Sequence, residues 1–289
     1  MKTITRKKFI GTTAKGLAAA WALSQIPQQL LAQLPNGFND ISIGFQTFPI
    51  REMLGKDFAG TLKMMAGMGY KVTEMCSPKG YEKAGYAPLI GMKGKDMKKI
   101  INDAGLSCPS CHFGFAEFDD DKIDERIQFA KDLGLDAMIC SSFGLPKTAT
   151  LNDWVAACDK LNKAGEKIKK AGMQAGYHNH SAEFGKLDDQ LIYDALLSSF
   201  YPGLVKMQFQ TEVINLGYKA ADYFRKYAGR FISSHLSDWT ADKQQAAIGQ
   251  GVIDWKDFFA AAKSTGVKTY YVEMDLDKFK DSASYIKGL

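Results

Sequence analysis

The sequence predicts a TIM-type (β/α)8 barrel, a single α/β domain over residues 39–289 behind an N-terminal export signal. Three observations carry that prediction. Short apolar runs alternate with longer segments of helical period, the pattern of repeated βα units. Glycine recurs where a helical segment hands over to the next strand. The 289-residue chain, less a leader, has about the 250 residues such a barrel uses.

Taken in order, eight strands are expected at Ile41 to Thr47, Lys71 to Cys76, Ser107 to Phe113, Ala137 to Ser142, Gln174 to Asn179, Val205 to Gln210, Phe231 to Leu236 and Thr269 to Met274. Seven helical segments lie between them, with Leu62, Met65 and Met68 or Leu161 and Ile168 marking their apolar faces. Gly69, Gly105, Gly134, Gly172 and Gly266 each stand just before a strand, where glycine takes up the left-handed conformation that ends a helix. An open doubly wound sheet is the competing architecture, but no glycine-rich phosphate loop follows the first strand. Ser77 to Gly94 forms a long insertion after strand two, at the face where barrel loops build sites.

Residues 1–32 read as an export leader and imply a periplasmic address. A basic start from Lys2 to Lys8 precedes a weakly apolar stretch from Phe9 to Leu23, and small-residue cleavage chemistry follows at Leu30-Leu31-Ala32. Thr5-Arg6-Lys7-Lys8-Phe9-Ile10 is similar to a twin-arginine signal with lysine in the second position, so either export route fits. A retained amphipathic helix is the competing reading. Lys15 interrupts the apolar stretch, which is shorter than the roughly 20 residues of a membrane span.

The net charge of +5 owes much to Lys2, Arg6, Lys7, Lys8 and Lys15. Without them the chain is close to neutral, and Lys163 to Lys170 read as a solvated helix face, so nothing points to nucleic acid. Five cysteines are present, and Cys108-Pro-Ser-Cys111 has the spacing of a redox pair. It falls on an expected strand, where residues three apart face opposite ways, so buried free thiols are expected instead. Nothing in the sequence sets an oligomeric state.

The four histidines, His112, His178, His180 and His235, all fall at or near the C-terminal ends of expected strands three, five and seven. In a barrel those ends converge on one mouth, where catalytic groups gather. Glu273 ends strand eight inside an apolar run, where an unpaired charge would be costly. Glu74 occupies the matching place on strand two, Asp238 follows His235, and Glu183 follows the His-Asn-His cluster. Imidazoles and carboxylates together suit a divalent Mn, Fe, Co, Ni or Zn ion, whereas calcium or magnesium sites use oxygen ligands alone. Phe45, Phe48, Phe113, Phe143, Phe209 and Trp239 lie near strand ends, where flat rings stack on sugar faces or pack in the core.

Gly176-Tyr177-His178-Asn179-His180-Ser181-Ala182-Glu183-Phe184 resembles the strand-five signature of the xylose-isomerase-like superfamily of sugar (phosphate) isomerases and epimerases. Ser234-His235-Leu236-Ser237-Asp238, Gly249-Gln250-Gly251-Val252-Ile253-Asp254-Trp255 and Val272-Glu273-Met274-Asp275 resemble its later signatures. The resemblance implies a metal held by a Glu, an Asp, a His and a Glu on strands five to eight. His235 and Glu273 match directly. Strand five offers His178 or His180, with His178 favoured by spacing, and strand six offers Gln210, a weaker donor than aspartate.

The implied chemistry is proton abstraction beside a carbonyl of a non-phosphorylated sugar or sugar derivative. Glu273, Glu183 and His180 are the expected proton carriers; His178, Gln210, His235 and Glu273 the expected metal ligands. Glu74, His112, Asp238, Trp239 and Phe45 are expected to contact the carbohydrate. With one glutamate of the family's pair missing, a lyase or hydratase acting on a keto-glycoside is the alternative. A sugar-binding protein without catalysis is the rival from another class.

Overall fold

The computed structural model describes residues 43–289. The expected leader lies outside the described residues. Eight parallel strands close into a barrel: β1 (Ile43–Gln46), β2 (Val72–Cys76), β3 (Ser107–Phe113), β4 (Ala137–Cys140), β5 (Gln174–His178), β6 (Val205–Gln210), β7 (Phe231–Leu236) and β8 (Thr269–Val272), with β8 pairing β1. Closure rules out the open sheet. The strands fall where the sequence places them, but β1, β4, β5 and β8 stop one or two residues early. There the backbone turns into mouth loops that carry Ser141, Ser142 and Glu273.

The outer layer consists of α1 (Phe58–Gly67), α2 (Gly94–Asp103), α3 (Ile123–Leu133), α4 (Leu151–Lys170), α5 (Ile192–Ser199), α6 (Ala220–Lys226), α7 (Trp255–Thr265) and α8 (Phe279–Lys287). The last follows β8 and completes the eighth βα unit. Helix α4 shows why these segments are helical. Trp154, Ala157, Cys158, Leu161, Ala164, Gly165 and Ile168 are buried at spacings of three and four, making one apolar stripe. Thr150 caps its start by accepting from the Asp153 backbone N–H. The expected glycine junctions are realised, with φ of 100°, 78°, 84°, 87° and 86° at Gly69, Gly105, Gly134, Gly172 and Gly266.

Period-two alternation sorts the strand side chains. Gln46, Glu74, Ser110, His112, Gln208 and His235 are bound to one another inside the barrel. Their neighbours in sequence point outward into the helix layer. Phe45, expected against the carbohydrate, is one of these: fully buried, it packs edge-on against Tyr70 and Phe279 at 5.5 and 6.5 Å. Its strand neighbour Gln46 holds the inward position. Phe113, Phe143 and Phe209 are likewise core, packed on Phe118, Tyr177 and Phe231. All five cysteines are buried free thiols, as the strand reading of Cys108 to Cys111 requires. Among the described residues no helix is long and apolar enough to cross a membrane.

Candidate metal and active site

Barrel interiors are usually filled by bulky branched side chains. Here the upper interior is polar. Register explains the layering: Gln46, Glu74 and Ser110 lie abreast across β1, β2 and β3, while His178, Gln208 and Ser233 lie abreast across β5, β6 and β7. Glu74 is the hub, fully buried. Its Oε1 accepts from Ser110 Oγ at 2.5 Å and Gln208 Nε2 at 2.8 Å. Its Oε2 accepts from Gln46 Nε2 at 2.8 Å and faces His235 Nε2 at 2.5 Å and His112 Nε2 at 3.2 Å. Burial alone would raise the Glu74 carboxyl, but the facing His112 and His235 rings outweigh it and hold the group well below the carboxylate range.

The other nitrogen of His235 meets the mouth. Nδ1 lies 2.9 Å from Glu273 Oε2, and the Gln210 side-chain amide donates to that same oxygen at 2.6 Å. Burial opposes a charge on His235, yet Glu273 and Glu74 on either side push it up to about 9. Glu273 is lowered in turn: burial raises it, and His235 prevails. His178, buried beside His235, His180 and His112, is driven the other way and stays neutral. The rings of His112 and His235 stack at 4.9 Å, and His178 sits 4.4 Å from His235.

Ring nitrogens of His112, His178 and His235 all lie within 4.8 Å of one another. A buried carboxylate on the far nitrogen of a histidine whose near nitrogen meets a second carboxylate is how proteins orient a metal-bound imidazole. The donor set therefore fits a divalent transition ion. His112, His178 and His235 could hold it, with Glu273 Oε2 against His235 Nδ1 and the Gln210 amide against that same oxygen. Glu74 takes a different part from the expected one: it is shut beneath the mouth and orients His235.

Above this floor opens a cleft of about 420 Å³. His112, His178, His180, Gln210, Glu273 and Trp239 line it as expected. Phe48, Tyr81, Ser141, Ser142, Glu212 and Gln245 join them; of these the sequence reading had singled out only Phe48. Trp239 is held by its Nε1–H donating to Ser237 Oγ at 3.1 Å.

Besides Phe45, two more expected site residues are turned away. Glu183, expected to carry a proton, is buried with both oxygens in use: Tyr177 OH donates to one at 2.5 Å and the His180 backbone N–H to the other at 2.9 Å. It closes the short 3-10 turn Ser181–Phe184. Glu117 does the same after β3, accepting from Gly114 N–H and Ser77 Oγ. The two stretches share a pattern, His-x-x-x-Ala-Glu-Phe, at His112 to Phe118 and His178 to Phe184. That repeat was the available signal that Glu183 fixes a turn and the histidine five residues earlier faces the mouth.

Asp238, expected to contact carbohydrate, is fully buried and serves the following loop. Its carboxylate accepts from Gly249, Gly251 and Ile253 N–H and from Trp255 Nε1. Gly251 is required there, since a Cβ would stand 2.1 Å from Asp238 Oδ1.

The family model describing the xylose isomerase-like TIM barrel matches residues 62–289, and the chain belongs to that family. A solved sugar phosphate isomerase/epimerase from Parabacteroides distasonis is 25% identical, with a TM-score of 0.69 over 84% of this chain and 96% of that one. A second such protein from the same organism is 24% identical, with a TM-score of 0.72 over 86% and 96%. The 3-keto-D-glucoside 4-epimerase of E. coli shares the fold at 14% identity, with a TM-score of 0.60 over 86% of this chain and all of that one. No curated protein gives a significant match to the sequence.

Proposed function

We propose that the protein is a metal-dependent enzyme of the sugar isomerase and epimerase type, acting by proton abstraction beside the carbonyl of a non-phosphorylated sugar or sugar derivative. One observation carries the reading: His235 Nδ1, Glu273 Oε2 and the Gln210 amide converge at the cleft floor while Glu74 holds the opposite nitrogen of His235. A divalent ion, if held there, would polarise the substrate carbonyl and its neighbouring hydroxyl. Glu273, 21% exposed at the floor, is the group that takes the proton from the adjacent carbon. His180 stands on the rim, placed to pass a proton to or from solvent. Trp239, Phe48 and Tyr81 offer flat faces to a sugar ring, and serines 141 and 142 offer hydroxyl partners.

The cleft's charge supports the unphosphorylated class. Among the described residues its lining includes Glu212, Glu273 and Asp275 but neither lysine nor arginine, the side chains that usually grip a phosphate dianion. The export expected from residues 1–32 agrees, because phosphorylated sugars are chiefly cytoplasmic. A lyase or hydratase acting on a keto-glycoside is the second reading, favoured by the turning away of Glu183, which removes one proton carrier from the mouth.

Glu273→Gln is the test, with metal content and sugar binding measured alongside turnover. Turnover should fall about 10²–10⁴-fold while the folded protein persists. Retained turnover would remove Glu273 from the chemistry. A wild-type protein that binds sugars yet exchanges no substrate proton with solvent would be a binder. Release of an aglycone from a supplied keto-glycoside selects elimination over isomerisation.

A further inference from the structure

Gln208 is not among the groups the sequence pointed to, yet it touches more of the site than any other neutral side chain. It is fully buried at the centre of β6, below Gln210. Its Nε2 donates to Glu74 Oε1 at 2.8 Å and Ser233 Oγ at 2.9 Å; its Oε1 lies 2.6 Å from His112 Nε2 and 2.9 Å from His178 Nδ1. The amide cannot be turned over. An ionised carboxylate only accepts, so the atom facing Glu74 must be the NH2 group, and the oxygen must face the two rings.

We infer that Gln208 is a positioning residue that fixes the tautomers of His112 and His178, so that His178 offers Nε2, and only Nε2, as a ligand or base. The reasoning is a matter of donors and acceptors. An amide oxygen has no proton, so each ring nitrogen facing it must carry one. His178 is therefore the Nδ1–H form, with its lone pair on Nε2. His112 Nε2 faces two acceptor oxygens, Gln208 Oε1 and Glu74 Oε2, so it too carries the proton. Its lone pair is on Nδ1. The two rings are thus set to opposite forms by one oxygen. Glu74 in turn orients Gln208, so one buried carboxylate governs His235 directly, His112 both directly and through the amide, and His178 through the amide.

The role of His178 as a ligand rests on the function proposed above; the tautomers do not. The test is therefore made on metal-free protein labelled with 15N-histidine, whose two-bond proton–nitrogen correlations distinguish the two neutral forms. His178 should appear as the Nδ1–H form and His112 as the Nε2–H form. In Gln208→Met, which keeps length but neither accepts nor donates in the same way, His178 should move toward the Nε2–H form that free histidine prefers. Affinity for Co²⁺ should fall about 10–100-fold. Ser233→Ala, which removes only a partner of the amide nitrogen, should leave the tautomers as they are. Finding His178 as Nε2–H in the wild type, or unchanged in a folded Gln208→Met, overturns the inference. The wild-type spectrum decides alone if that variant does not fold. Wild-type protein with the assigned tautomers but no affinity for Co²⁺ would sink the metal reading and leave this inference standing.

Discussion

Gln210 stands where the resemblance implies an aspartate, and its contact gives that exchange a physical meaning. Its NH2 group donates to Glu273 Oε2, neutralising part of the like-charge repulsion that two carboxylates would suffer there without an ion. Gln210→Asp should therefore have effects of two signs. With chelator present the variant should melt below the wild type, and with Co²⁺ it should bind roughly tenfold or more tightly. Thermal unfolding with and without metal, paired with a Co²⁺ titration, checks both. At this scale the sequence yielded the histidines, Glu273 and Trp239 directly. It did not yield Gln46, Ser110, Gln208 or Ser233, because polar residues at alternate strand positions carry meaning only once the barrel's inner face is known. Glu183 and Asp238 turn from the cleft for a related reason. Residues just past a strand end have no fixed direction, and each here was claimed by nearby backbone N–H groups.

Among the elements, the strands and their glycine junctions were the most legible, since a left-handed residue between helix and strand needs glycine whatever the function. Strand ends were less legible: β1, β4, β5 and β8 stop short where hydrogen bonding gives way to loops. The loop from Gly249 to Trp255 is the element whose stability can be tested in isolation. Asp238 gathers four donors from it, and Asp238→Ala would leave them without that acceptor, the buried Trp255 Nε1 among them. The expected cost is about 2–3 kcal/mol of global stability, seen in denaturant unfolding. Faster amide hydrogen exchange should be confined at first to residues 249–255. Asp238→Asn should recover part of the loss, because its oxygen still accepts. Uniform exchange throughout the chain would contradict the latch role.

For the whole molecule, the clustered imidazoles couple folding to pH in the metal-free state. His235 is raised from 6.5 to about 9, so the stability it contributes is complete below pH 6.5 and is lost as pH rises through about 9. His178 is lowered from 6.5, so its contribution is present above pH 6.5 and is lost as pH falls. The site's share of stability should peak near pH 6.5, and melting in chelator across pH 5 to 9 should show that maximum. In His235→Gln the alkaline decline should shrink, and a decline of unchanged size would remove His235 as its source. The polar barrel interior has a further consequence for redesign. Every strand except β4 lends a side chain to the floor, or just beyond its end in the case of Glu273, and Gln46, Glu74, His112, Gln208, His235 and Glu273 each have two or more partners. An exchange at any one of them strands a neighbour's proton or lone pair. New specificities should therefore be sought by diversifying the rim at Phe48, Tyr81, Trp239 and Gln245, with the hydrogen-bonded floor inherited intact.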